Sequence, residues 1–123
     1  MRTKSLGFGF LFLTAAVCLA AAPAPALAQQ PTPSVANTTW AGSEDLAGFG
    51  KLTFIFQGNG SAVMVDARST VTGSWSQNGR TVEIRFANCV YVGTINGTLL
   101  SGSAVFTSGP NQGLQWSFVV QKN

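Results

Sequence analysis

Any chemistry done by this chain is done without histidine, since the sequence contains none. The commonest general base and the commonest metal ligand are therefore missing. Beyond residue 28 the acids are Glu44, Asp45, Asp66 and Glu83. Glu44 and Asp45 are adjacent at the end of an expected strand, where solubility is the simple reading and contact with a calcium ion the sharper one. Asp66 and Glu83 fall on expected outer faces. A nucleophilic Cys89 would need a base, and its sequence neighbours offer none. The glycines belong to hairpins, so no phosphate cradle opening a helix is formed. Asn37-Thr38-Thr39 and Asn96-Gly97-Thr98 match the N-glycosylation pattern, which matters only in a host that glycosylates. The expectation is a protein that is not an enzyme and has no cofactor and no metal site.

The distinctive resource is aromatic. Trp40, Trp75, Trp116, Phe54, Phe56, Phe86, Tyr91, Phe106 and Phe118 lie in alternating apolar runs. They can fill a core, or they can line a pocket, because pockets are apolar and aromatic with a few placed polar groups.

The elements that would position these rings are strands. Beyond residue 28 no stretch has helical periodicity, and eight short runs are divided by glycine-bearing turns: 38–43, 52–57, 61–67, 70–76, 81–86, 90–95, 99–107 and 114–122. Three turns carry Asn-Gly, at Asn59-Gly60, Asn78-Gly79 and Asn96-Gly97. This dipeptide is a strong hairpin signal, and a two-residue type I′ turn centred on it fixes the register. Such turns set Trp75 opposite Val82, Phe56 opposite Val63 and Tyr91 opposite Gly102, each on an apolar inner face. Glycine there makes room for a ring or lets the strand bend. The Asn-Gly turns recur 19 and then 18 residues apart, one excursion out and back, so they share one end of the domain. The other end holds the longer connections 45–50 and 108–113. The predicted fold is all-β, a small antiparallel up-and-down barrel of eight strands.

Eight meander strands with Trp40 and Gly42 on the first, closed at one end by tight turns, resemble a small lipocalin-like, calycin-type barrel. Lipocalins carry Gly-x-Trp on that strand, where this chain has Thr38-Thr39-Trp40. Thr72-Gly73-Ser74-Trp75 and the closing strand with Trp116 are similar to avidin-type barrels, although the biotin-contacting set does not map onto this chain. The resemblance implies a binding module for a small apolar molecule. A solid barrel acting through its surface, as an inhibitor or envelope interaction protein, is the alternative.

A site in such a barrel is expected at the loop-rich end, because longer loops carry recognition groups on a rigid scaffold. Phe49 would be its lid, Arg68 and Asn88 its polar rim, and Trp40, Trp75, Tyr91 and Trp116 its deeper walls. On the outside, Val90, Val92, Leu99 and Val105 form an apolar stripe expected to support homo-oligomer formation.

The chain opens Met1-Arg2-Thr3-Lys4, runs through an apolar stretch from Leu6 to Ala22 and reaches Ala26-Leu27-Ala28 before Gln29. These are the three parts of a secretory signal peptide. A membrane anchor is disfavoured, because the strongly apolar part, Leu6 to Leu19, is shorter than the roughly 20 residues that span a bilayer. Lipoprotein attachment at Cys18 is ill served by Val17. The expected organisation is a signal peptide over 1–28, a flexible lead-in over 29–36 and a barrel domain over 37–123. The product would be periplasmic or secreted, with no membrane span after cleavage. Cleavage leaves 95 of the 123 residues, enough for one core. Five basic and four acidic residues then give a net charge of +1, which argues for no nucleic-acid partner. Cys89 alone remains, so no intrachain disulfide forms and the thiol is expected to be buried or to bond another chain.

Overall fold

The structure, a computed structural model, describes residues 32–123; the expected signal peptide lies outside them. Eight strands follow in order: β1 (Thr38–Glu44), β2 (Lys51–Phe56), β3 (Ser61–Asp66), β4 (Thr70–Asn78), β5 (Thr81–Arg85), β6 (Cys89–Asn96), β7 (Leu99–Phe106) and β8 (Gln115–Lys122). Each pairs antiparallel with the next, and β8 pairs with β1 to close the barrel. No strand edge is left open, which removes the usual route to edge-to-edge aggregation. The alternation is plain in β6, where Cys89, Tyr91, Gly93 and Ile95 are buried while Val92, Thr94 and Asn96 are exposed.

The three Asn-Gly hairpins depart from the expected register. In β4–β5, Trp75 pairs with Ile84 and Asn78 with Thr81, two positions from the expected register. In β6–β7, Tyr91 pairs with Ala104 and Asn96 with Leu99, again a displacement of two. Asn closes these turns instead of occupying their centre, which is Gly79-Arg80 in one and Gly97-Thr98 in the other. Gly79 and Gly97 have φ of 60° and 66°, whereas the residue after each keeps a negative φ. Positive φ at the first central position alone is the type II′ pattern, not I′. A slip of two preserves which side chains face inward, so both faces stand as expected.

The third hairpin slips by one. Phe54 pairs with Met64 and Phe56 with Ala62, because the loop is three residues, Gly58 to Gly60, with Gly60 at φ 90°. The Gly60 N–H donates to Gln57 C=O and the Gln57 N–H to Ser61 C=O, the arrangement of a turn followed by a left-handed bulge residue. This extra residue inverts β3. Ala62 and Met64 are buried, Val65 is exposed, and Asp66 sits opposite Leu52 at the inner rim instead of on the expected outer face.

The lower half of the barrel, at the tight-turn end, is filled. Phe54, Phe56, Ile84 and Leu100 are wholly buried, and Trp75 stands edge-on to Phe56 at 5.9 Å. Gly93 leaves room here: a Cβ would lie 2.8 Å from Leu100 Cδ1 and 2.9 Å from Phe118 Cζ. Val35 closes this end. It belongs to the stretch read as a lead-in, yet it is buried in the core. Its N–H donates to Gln77 Oε1, and Gln77 Nε2 donates to Pro33 C=O.

The outer apolar stripe is broken. Val90 lies beside Val105 at one end, and Leu99 lies beside Asn96 at the other. Ser101 and Ser103 separate them along β7. Val92 and Leu99 are exposed, while Val90 and Val105 are half-buried.

Candidate functional site

β1 carries Trp40, Gly42 and Glu44 on one face, and Glu44 is its last residue. The chain then makes a short excursion, 45–50, before re-entering the sheet at Lys51. This loop is pinned at both ends. Asp45 N–H donates to Ser117 C=O and Asp45 Oδ1 accepts from Ser117 N–H at 2.7 Å, while Glu44 N–H donates to Gly50 C=O at 2.8 Å. Leu46 and Phe49 consequently turn back over the end of the barrel, and Glu44 is shut in beneath them. It is 6 % exposed, the one charged residue type buried among the described residues. Its expected place as a solvated strand end is corrected by that loop.

Two donors converge on one oxygen of Glu44. Tyr91 Oη donates to Oε1 at 2.6 Å, and Trp116 Nε1 donates to the same atom at 2.7 Å. The other oxygen, Oε2, is buried with no hydrogen-bond partner among the described residues. A buried polar atom without a partner is uncommon and calls for a reason. Burial pushes the Glu44 carboxyl above its ordinary value. The bonds from Tyr91 and Trp116 pull the other way, and the charges of Asp66 and Asp45 add to the upward push. Burial, with the bond to Glu44, likewise raises the Tyr91 hydroxyl. Tyr91 is also the hub of the upper core, edge-on to Phe54 at 5.1 Å, Phe118 at 5.2 Å, Trp116 at 5.7 Å and Phe86 at 6.1 Å.

Above Glu44 lies a recess of about 170 Å³. Phe49, Met64, Val71, Phe106, Tyr91 and Trp116 supply its apolar walls. Asp66, Ser69, Asn88 and Cys89 supply the remainder. Asp66 shapes the β3–β4 turn, its Oδ1 accepting from the N–H groups of Arg68 and Ser69 at 2.8 Å each. The Cys89 thiol is pushed up to about 11, first by burial and then by the nearby charges of Glu44 and Asp66, so it is a neutral lining group at ordinary pH.

Four of the residues singled out from the sequence meet at this recess: Phe49, Asn88, Tyr91 and Trp116. Arg68 does not line it. Its guanidinium lies 4.7 Å above the Phe49 ring and its Nε donates to Gly48 C=O at 3.3 Å, so it packs against the loop 45–50. Trp40 and Trp75 are not walls of the recess, because both belong to the filled half. Trp40 Nε1 donates to Thr38 Oγ1 at 2.8 Å, and Trp75 Nε1 donates to Gln57 C=O at 2.8 Å, next to the Asn59-Gly60 turn. The loop 108–113 lines a separate depression of about 310 Å³ that shares Phe49, Asn88 and Phe106 with the recess. A wider groove of about 440 Å³ runs outside, between Leu46 and Leu114.

Glu44, expected as a solvated strand end, and Asp66, expected on an outer face, both line the recess instead. One signal pointed to Glu44: with Trp40 inward, period two puts residue 44 inward as well. Among the described residues no three His, Cys, Asp or Glu side chains gather as a metal site would require. No protein family, curated protein or solved structure matches this chain.

Proposed function

We propose that this chain is an exported binding module that takes one small apolar or aromatic molecule into the recess at its loop-rich end. The carrying observation is the hollow itself, lined by aromatic side chains and by the buried Glu44, whose Oε2 has no hydrogen-bond partner among the described residues. Size narrows the occupant. Pockets for drug-sized ligands run from about 300 to 1,000 Å³, whereas an apolar cavity of about 150 Å³ is enough for benzene. At about 170 Å³ the recess suits a single ring or a short branched chain. A closed meander filled below and hollow above supports the calycin-like reading, in which the mouth of a barrel is the binding site. The leader ending Ala26-Leu27-Ala28 supports export.

The filled lower half favours a second reading, a rigid barrel acting through its surface as an inhibitor or envelope interaction protein. Benzyl alcohol, a neutral one-ring probe, separates the two. Amide NMR shifts induced by it should cluster at Cys89, Tyr91 and Trp116 in the parent. They should vanish in Val71→Phe, whose larger side chain occupies the recess. Shifts that survive Val71→Phe, or that fall along the outer groove at Leu114, would contradict the reading.

A further inference from the structure

Resting on the binding reading above, we propose that the recess takes a small organic ammonium, a charged primary amine on a single ring or short apolar chain, with its charge paired to the Glu44 carboxyl. The geometry asks for a donor. Oε1 already receives both Tyr91 and Trp116, while Oε2 is buried with no partner among the described residues, and Glu44 itself lines the recess. A carboxylate only accepts, so a group that satisfies this atom must carry N–H or O–H.

The surroundings choose the charge. Facing the carboxyl are Asp66 from β3, Asp45 from the loop after β1, and Tyr91 and Cys89 from β6. Two of these are acids. The Tyr91 hydroxyl is engaged with Oε1, and the thiol is held neutral by its burial. Among the described residues no lysine or arginine lines the recess. Arg68, beside Phe49, is tied to Gly48 and the Phe49 ring. An anion would therefore meet carboxyl groups and no counter-charge. A cation would be the partner that Glu44 lacks and would meet the aromatic rings of Phe49, Phe106, Tyr91 and Trp116, whose faces attract positive charge. A buried carboxyl with no cation of its own is costly to ionise, and a bound ammonium would supply that cation.

Calorimetric titration at neutral pH with benzylammonium and benzyl alcohol, ring-matched and differing in charge, tests this on the parent and on Glu44→Gln. Benzylammonium should bind the parent at least about tenfold tighter than the alcohol, and the ratio should fall to near one in Glu44→Gln. Equal binding of the two probes to the parent, or an equal loss of both in the variant, would overturn the ammonium assignment and leave the binding reading standing. Failure of both probes to bind the parent would overturn the binding reading as well. The comparison within the parent decides the matter even if the variant does not fold.

Discussion

At the scale of single residues the molecule turns on Glu44. Its folded-state carboxyl titrates above the ordinary value of 4.5, so the native barrel binds this proton more tightly than the unfolded chain does. The cost of ionising it is absent below the ordinary value and fully felt above the raised one. Stability contributed by this site should therefore fall as pH rises through that window. Urea denaturation across this range should show the parent losing stability relative to Glu44→Gln with increasing pH; a constant difference would mean the carboxyl is not perturbed. Little of this was legible in the sequence. Tyr91 and Trp116 stand 47 and 72 residues away from Glu44, and only closure of the barrel brings them to it. Adjacent acids at a strand end read as a solvated corner because local pattern cannot show the loop folding back over them. Phe49 and Asn88 were legible for a different reason, since both sit in the connections at one known end.

The strands themselves were readable, because inward residues alternate with outward ones along each and glycine turns mark their ends. Register was less so. Asn-Gly identifies a turn without saying whether the pair occupies its centre or its first two positions, and a slip of two leaves the faces unchanged. At Asn59-Gly60 one added residue inverted β3 and carried Asp66 from the outside to the rim of the recess. Two glycines should fail for different reasons. Gly97→Ala places a side chain at φ 66° in open space, and should cost about 1–2 kcal/mol through backbone strain alone. Gly93→Ala drives a methyl against Leu100 and Phe118, and should cost about 1–3 kcal/mol through overpacking. Near-UV circular dichroism separates them: the aromatic signal should change for Gly93→Ala and stay as in the parent for Gly97→Ala. Changes of equal size in both would show that the inner glycine is not packed as described.

For the whole molecule the consequence is an asymmetric barrel, packed and plugged at the tight-turn end and hollow at the other. Val35 is the plug, held by the exchange of hydrogen bonds between Gln77 and the chain at Pro33 and Val35. Its burial was not legible, because Pro33, Ser34 and Ala36 around it read as a lead-in and no strand pattern includes it. Val35→Ala should lower unfolding free energy by about 2 kcal/mol without altering binding of benzyl alcohol at the far end. No loss of stability would show that the plug is unseated in solution. Whether the hollow end is a binding site built on Glu44 is decided by following the carboxyl carbon of Glu44 by NMR against pH, with and without benzylammonium. The midpoint should lie above the ordinary carboxylate range in the free protein and move down when the cation is bound. A midpoint in the ordinary range that the cation does not move would contradict such a site.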